Sequence, residues 1–349
     1  MASQVKDSAW LEWVASLMGA GSRQNHGASL PSNLFYCLLD ELPLHLIPRR
    51  DFELQDWRRK LAERQLIFSP HCSVLPAGQV PEELQSRPDL LRGFHLESII
   101  AWVLDPITKS LRPFWLGPRL EAVIAGMRPG DPVPASITGA DRAVLVAAGI
   151  FTFQDETEPS RIEREQSVRQ STQQFCENGY CPIGNLIHPF HIAALRRYYR
   201  HEIRAGNIRL GDEQSSRRYV AHNDGVARFF HHQIANAVAP VVGEAIKPSY
   251  VYLASYLSGA ELKKHIDRAQ CEFSVTLCLD FSPEPQLATS WPIHLDTPKG
   301  TVTVYQALGD GLVYRGTKVP HYRSPLAAGH TSTSMFFHYV PAGFEGPLD

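Results

Sequence analysis

Long apolar runs are missing from this 349-residue chain. Nowhere do about 18 apolar residues follow one another, the length that a membrane-crossing helix needs, so no membrane span is expected. An excess of charge is missing too: 34 Lys and Arg stand against 36 Asp and Glu, for a formal net charge of -2. That balance leaves no electrostatic footprint for nucleic acid or an anionic membrane. Basic pairs such as Arg196-Arg197 and Arg217-Arg218 read as solvated helix or loop faces. Cysteine is sparse, with six residues (Cys37, Cys72, Cys176, Cys181, Cys271, Cys278), too few for a secreted disulfide framework in a chain this long. Cys176 and Cys181 lie close together, but no second pair with zinc-site spacing accompanies them. Free thiols in a reducing compartment are expected. Residues 1–10 carry Lys6 and Asp7 and no apolar core of signal-peptide length, which points to a cytoplasmic protein. Internal repeats and low-complexity tracts are also absent.

What is present is the make-up of a globular protein with a sizeable core: 44% hydrophobic and 20% charged residues. The length exceeds one average domain. Composition shifts over Phe153 to Thr172, which is rich in Gln, Glu, Arg and Ser and suits a connector or an exposed helix. The division is placed there, giving residues 1–160 and 161–349.

Residues 1–160 read as mainly helical. Asp51 to Phe68 carries apolar residues at helical intervals (Phe52, Leu54, Trp57, Leu61, Leu66). Leu96 to Leu104 and Arg119 to Met127 add apolar runs, and Asp141 is placed to cap Arg142 to Ala148 before Gly149. Such a region would bury one side of the second domain, or form a small winged-helix-like module that binds a partner or a substrate peptide.

Residues 161–349 open with helices and turn to strands. Pro189 suits a first helical position, Ile192, Leu195, Tyr199 and Ile203 form a stripe, and Gly206 can end it. A second helix starts at Asp224. From Ser249 onward, seven short β-branched or aromatic segments (249–257, 273–281, 291–296, 300–306, 311–315, 319–324 and 331–340) are separated by Gly, Pro or Asp. So many short strands in under about 100 residues argue for a sandwich or jelly roll over a parallel sheet.

Three His-x-Asp motifs stand in this half: His222/Asp224, His265/Asp267 and His294/Asp296. Two imidazoles and one carboxylate on one face of an octahedral Fe(II) leave positions open for cosubstrate and dioxygen, which is why the motif matters. Asp224 directly precedes an amphipathic helix and is best used as its N-cap. Asp296 opens a turn. His265 and Asp267 follow the strand Tyr250 to Leu257 and precede Phe273 to Phe281. Four strand segments, that one included, then separate them from His321. Only this pair has both the flanking strands and a suitably spaced distal histidine.

The ordered set Tyr252 to Tyr256, His265/Asp267, Phe273 to Asp280, Gly309 to Tyr314, Pro320 to Tyr322 and Gly329 to Val340 resembles the 2-oxoglutarate- and Fe(II)-dependent oxygenases. Among these it is most similar to the prolyl 4-hydroxylase branch. Cys176 to Arg200 resembles the helical lead-in that such enzymes place before the barrel. The resemblance covers about half the chain and implies an α+β protein with a double-stranded β-helix (jelly roll) and flanking helices, preceded by the helical region. It also implies Fe(II) on His265, Asp267 and His321, with 2-oxoglutarate as cosubstrate. The expected activity is hydroxylation of a small-molecule or peptide substrate at an amino acid or a peptide-borne side chain.

One position departs from the family pattern. A basic residue nine to eleven positions after the distal histidine ordinarily pairs with the far carboxylate of 2-oxoglutarate, and Arg suits that role because its fork matches a carboxylate. In this chain His330 stands there, with Ser332 two residues on. Three readings stay open. His330 binds the carboxylate as imidazolium, aided by Ser332 and by Tyr252 or Tyr256; Arg323 supplies the cation instead; or the oxygenase does not use 2-oxoglutarate. Outside the enzymes, the alternative is an inactive barrel that binds a peptide. Arg268 and Gln270 read as an exposed turn, Asp310 as a turn residue, and Tyr198, Tyr199, Tyr250 and Tyr305 as core or interface. Oligomeric state leaves no mark on the sequence.

Overall fold

The computed structural model describes residues 30–48, 64–137, 139–154 and 158–349. Its first part holds five strands: β1 (Leu66–Phe68), β2 (Cys72–Leu75), β3 (Ile100–Leu104), β4 (Leu111–Trp115) and β5 (Phe151–Phe153). Between them lie the short helices α1 (Glu82–Gln85), α2 (Pro118–Ile124) and α3 (Gly139–Ala148). β2, β3 and β4 form one antiparallel sheet, and β1 pairs with β5.

The expected mainly helical region is therefore mixed. Leu96 to Leu104 supplies strand β3, whose five residues are mostly buried on both faces. A continuously apolar segment of that length satisfies a buried strand as well as a helix, and β-branched and aromatic residues favour the strand. The helix expected over Asp51 to Phe68 lies outside the described residues except for its end, which is β1. Asp141 sits inside the first turn of α3 rather than before it, paired with Arg119 at 2.5 Å.

The composition shift at 153–172 becomes helix α4 (Glu158–Asn178). Helix α5 (Pro189–Arg204) and helix α6 (Gly225–Val242) then carry the apolar stripes read from sequence. Asp224 caps α6 by accepting from the N–H groups of Val226 and Ala227. Gly243, at φ +77°, ends that helix in the left-handed conformation that a side chain resists.

The remaining strands are β6 (Tyr180–Ile183), β7 (Arg209–Leu210), β8 (Arg218–His222), β9 (Ile246–Tyr256), β10 (Leu262–His265) and β11 (Phe273–Ser282). They continue with β12 (Ile293–Thr297), β13 (Gly300–Val304), β14 (Gly311–Arg315), β15 (His321–Arg323) and β16 (Thr331–Pro341). A seven-stranded sheet runs β6-β14-β11-β16-β9-β8-β7 and a four-stranded sheet runs β10-β15-β12-β13. Every pairing in both is antiparallel.

Alternation along the large sheet assigns its faces. Val251 and Leu253 of β9, Val275, Leu277 and Leu279 of β11, and Met335, Phe337 and Tyr339 of β16 join the main core beneath the helices. The intervening Ala254, Tyr256 and Cys278 pack with Trp291 and Leu326 in a second cluster on the opposite face. A third cluster joins Ile293 and Leu295 of the small sheet to Leu312 and Tyr314 of the large one, so the two sheets enclose a common interior.

The main core extends without a break from Phe35 to Tyr339. Phe35, Phe94 and Trp102 from the first part meet Tyr198, Phe229 and Phe230 from α5 and α6 in edge-to-face and tilted contacts. Burial of aromatic side chains of this size is worth about 1.5–3 kcal/mol each, which ties the first part to the second.

In each of the two basic pairs read as solvated, one member is buried, whereas Arg217 is exposed. Arg196 is 0% exposed: it holds Asp280 at 2.8 Å, the Leu46 carbonyl at 2.6 Å, and Glu284. Arg218, 4% exposed, pairs with Asp212 and donates to the Tyr256 hydroxyl at 3.2 Å. Their acidic partners lie far away or across a turn, where a charge pattern read along the sequence does not reach. Tyr305 is 59% exposed and so lies outside the core, whereas Tyr198, Tyr199 and Tyr250 are buried. Among the described residues no helix is long and apolar enough to cross a membrane.

Candidate metal centre

The small sheet brings two histidines together. β10 pairs with β15 so that His265 lies opposite His321, with ring centroids 4.3 Å apart. The turn after β10 adds Asp267, whose N–H donates to the Gly316 carbonyl at 2.9 Å. Asp267 Oδ1 stands 3.6 Å from His265 Nε2 and 3.6 Å from His321 Nε2. The three ligand atoms lie within 4.8 Å of one another.

Each imidazole is oriented from behind. His265 Nδ1 donates to the Lys263 carbonyl at 2.7 Å, and His321 Nδ1 donates to the Val319 carbonyl at 3.1 Å. With the proton on Nδ1, each Nε2 presents its lone pair towards Asp267. The other carboxylate oxygen, Asp267 Oδ2, accepts from Ser274 Oγ at 2.6 Å. Ser274 Oγ in turn accepts from His338 Nδ1 at 3.0 Å.

Gly316 makes room for this carboxylate. A Cβ there would come 2.5 Å from Asp267 Oδ2, 2.4 Å from Ser274 Oγ and 2.4 Å from the Cys271 carbonyl.

The electrostatics keep Asp267 ionised. Burial acts to raise its pKa, but the pairing with His265, the neighbouring His321 and His338, and the Ser274 hydroxyl outweigh it and hold the carboxyl below the usual range. Asp267 raises His265, against the opposing effect of burial. His321 is lowered, chiefly by burial. Burial also pushes His338 down to about 4, so it is neutral at pH 7.

The other two His-x-Asp pairs are engaged elsewhere. Besides capping α6, Asp224 accepts from the Tyr199 hydroxyl at 2.6 Å. Asp296 pairs with Lys264 and accepts from Thr301 Oγ1 at 2.7 Å, while His294 stacks on Tyr322 at 4.8 Å.

Deeper in the interior, Arg323 follows His321 by two residues and so points to the same side of β15. It is 4% exposed. Nη1 donates to the Trp291 carbonyl at 2.6 Å and Nη2 to Gln306 Oε1 at 3.2 Å. The Gln306 amide is fixed by donating to the carbonyls of Thr276 at 2.8 Å and Asp310 at 3.0 Å. Among the described residues no carboxylate pairs with Arg323. Its charged neighbourhood consists of Cys278, Tyr256 and Tyr314, all neutral at pH 7, and burial lowers its pKa. Two buried polar atoms in this interior have no hydrogen-bond partner: Arg323 Nε and Ser334 Oγ. Ser334 lies in register with Cys278 and Ala254, on the strands flanking β16.

The remaining candidates from sequence fall apart spatially. His330 sits in the turn before β16, with Nδ1 donating to the Ala328 carbonyl at 3.1 Å and its ring 5.7 Å from that of Phe281. Ser332 is buried opposite Tyr256 and Phe281. Tyr252 gives its hydroxyl proton to Asp212 at 2.5 Å, and Tyr256 accepts from Arg218. Arg268 is exposed and covers the Tyr250 ring at 4.6 Å. Sequence reasoning missed Ser274, His338, Gln306, Ser334 and Gly316. Ser274 is a small polar residue alternating with apolar ones along a buried strand (Phe273, Val275, Leu277), a signal of a polar interior face.

No protein-family model matches the chain, and no curated protein matches it. Solved structures do resemble about half of the chain. A prolyl-4-hydroxylase from Pseudomonas putida is 14% identical, covers 50% of this chain and 100% of its own, and superposes with a TM-score of 0.41. A Trichoplax adhaerens prolyl hydroxylase, solved with a hypoxia inducible factor oxygen degradation domain peptide, is 14% identical over 53% of this chain and 94% of its own, with a TM-score of 0.43. The non-heme α-ketoglutarate-dependent epimerase SnoN from nogalamycin biosynthesis is 11% identical over 51% and 84%, also at 0.43.

Proposed function

We propose that this chain is an Fe(II)- and 2-oxoglutarate-dependent dioxygenase built on a double-stranded β-helix, and that it hydroxylates an amino acid or a peptide-borne side chain. One observation carries the reading. Two imidazoles and a carboxylate converge on one point, and a buried guanidinium with no carboxylate partner among the described residues stands two positions along the same strand.

The residues fit both groups. Two imidazole Nε2 atoms and one ionised carboxylate oxygen form the donor set that non-haem Fe(II) takes on one face. A buried cation with no carboxylate partner is costly, and an unpartnered Nε and Ser334 Oγ add to the cost. A ligand carboxylate relieves all three at once. Two residues along a strand span about 6.6 Å, within reach of a five-carbon dicarboxylate that also chelates at the metal.

When bound, iron and 2-oxoglutarate together supply the oxidising chemistry: the keto acid and dioxygen become succinate, CO2 and one oxygen atom inserted into a substrate C–H bond. The chain's own contributions are geometric and electrostatic. Lys263 and Val319 hold the histidine tautomers, and Ser274 holds Asp267 Oδ2 so that Oδ1 faces the histidines. Gln306 and the Trp291 carbonyl aim Arg323. Tyr314 and Trp291, 1% and 4% exposed, keep water from the interior.

The test is an anaerobic titration of metal-stripped protein with Fe(II) and then 2-oxoglutarate, following the weak visible charge-transfer band of the chelate, with His265→Ala alongside. A band in the parent that His265→Ala lacks is the expected result. Iron binding without a band would mark an oxygenase that does not use 2-oxoglutarate. Absence of iron binding would leave a peptide-binding barrel.

A further inference from the structure

The candidate metal centre uses one of the two carboxylate oxygens of Asp267. Oδ1 stands 3.6 Å from each histidine Nε2. Oδ2 is engaged by two buried residues that face each other across adjacent strands. Ser274 of β11 and His338 of β16 are in register, and they are 0% and 6% exposed. Ser274 Oγ lies 2.6 Å from Asp267 Oδ2 and 3.0 Å from His338 Nδ1. The His338 ring is held by the Tyr250 ring at 4.6 Å, and its main-chain carbonyl accepts from His231 Nε2 at 2.8 Å. Tyr250 is fixed in turn by Arg268 Nε, which donates to its hydroxyl at 3.2 Å, and by Cys271 Sγ at 3.1 Å.

Proton counting gives this chain of contacts its direction. A serine hydroxyl has one proton to give, an ionised carboxylate has none, and a neutral imidazole has one on either nitrogen. Burial lowers the His338 pKa to about 4, so the ring is neutral at pH 7. Asp267 Oδ2 can only accept, so it takes the Ser274 proton, and the His338 proton then sits on Nδ1 and points at Ser274 Oγ. A bare Nδ1 would instead compete with Asp267 for the one serine proton, as the Cys271 carbonyl does from 3.5 Å. Donation into Ser274 Oγ also strengthens the hydroxyl as a donor to the carboxylate. We infer that His338 is a positioning residue, acting through Ser274 to keep Asp267 a ligand through one oxygen. Two imidazoles and a one-oxygen carboxylate leave three positions of an octahedral metal open, enough for a cosubstrate that chelates through two atoms and for dioxygen. A carboxylate bound through both oxygens leaves two. The inference rests on the metal site of the oxygenase reading and deepens it, without resting on 2-oxoglutarate or on turnover.

The experiment has a metal-free arm and a metal arm, both with the full chain. In metal-free protein, long-range proton–nitrogen correlation NMR reads the imidazole tautomers, with His338 identified as the signal absent from His338→Asn. The expected tautomer of His338 at pH 7 is Nδ1–H, shifting towards Nε2–H in Ser274→Ala, which removes the acceptor. Nε2–H in the parent overturns the inference whatever the metal does. In the metal arm Mn(II) stands in for Fe(II), and solvent-proton relaxation per bound Mn(II) counts the exchangeable waters in the open positions. That enhancement should fall by about a third in Ser274→Ala, three open positions becoming two. His338→Leu should move in the same direction, and His338→Asn, whose side-chain amide can donate in place of Nδ1, should keep the parent value. Urea unfolding shows whether each variant is folded; a misfolded His338→Leu leaves the tautomer and Ser274→Ala to decide. Parent-level relaxation in a folded His338→Leu overturns the inference and leaves the metal reading standing. Relaxation that survives His265→Ala places Mn(II) elsewhere and overturns both.

Discussion

Replacing Gly316 by Ala adds one methyl group next to the Asp267 carboxylate. The backbone tolerates it, since Gly316 is not among the glycines with positive φ. The space does not: the new Cβ would sit 2.4 Å from the Cys271 carbonyl, 2.4 Å from Ser274 Oγ and 2.5 Å from Asp267 Oδ2, where ordinary contact starts at 3.4 Å. Relief needs a displacement of about 1 Å, several times the roughly 0.2 Å tolerance of a metal–ligand bond. The Cys271 carbonyl is main chain, so the movement falls on Asp267 and Ser274. Metal affinity should fall about 10- to 100-fold, as for loss of a group that orients a ligand, equivalent to about 1.4–2.8 kcal/mol. Overpacking should also lower folding stability by about 1–3 kcal/mol. Anaerobic Fe(II) titration and urea unfolding of the metal-free protein measure the two effects. Adding Ser274→Ala removes one of the three clashes, so the double variant should recover part of the loss, a coupling expected only of groups in contact. Gly316→Ala protein that binds iron within twofold of the parent and unfolds at the same urea concentration would refute the arrangement of Asp267, Ser274 and Gly316 described above.

Other perturbations probe other parts of the molecule. Arg323→Met should leave Fe(II) affinity within a few-fold of the parent while weakening 2-oxoglutarate about 10- to 100-fold. The same variant should unfold at equal or higher temperature without 2-oxoglutarate, because an uncompensated buried charge is gone; a large drop in melting temperature would mean that Arg323 is structural. Arg196→Ala strands Asp280 and Glu284 and should cost about 3–5 kcal/mol in urea unfolding, with less than 1 kcal/mol arguing that Arg200, 2.6 Å from Asp280, compensates. Thiol titration at pH 8 should find one fast-reacting group, Cys176, the exposed cysteine. Burial raises the other five, with Cys37, Cys72, Cys271 and Cys278 pushed up to about 12, so they should react only after denaturation; a second fast thiol would contradict that burial.

Much of the second half was legible because its signals are local. All seven strand segments expected after Ser249 appear, and helices α5 and α6 begin where Pro189 and Asp224 place them. The choice among three His-x-Asp motifs also rested on local context, and Asp224 and Asp296 have the capping and turn partners that context predicted. The short strands β6, β7, β8 and β10 were not marked, having two to five residues and no clear alternation. The first part misled for a different reason: a five-residue segment buried on both faces has no period to read. Arg196 and Arg218 were misplaced because their partners come from elsewhere in the fold. Arg323 drew attention only for its nearness to His321, and its burial without a counterion among the described residues is a property of the assembled interior.

Strand β15 has three residues, and the outer two, His321 and Arg323, share a face. That spacing works as a ruler with a parity. Insertion or deletion of one residue between them would send the guanidinium to the opposite side of the sheet, while the histidine stayed in place. A cation serving this interior from β15 can therefore relocate along the strand only in steps of two. A cation arising on another strand, as at position 330 before β16, would have to approach from a different wall. Reshaping the ligand on this scaffold thus means changing which wall carries the charge, since the distance along β15 admits no gradual adjustment.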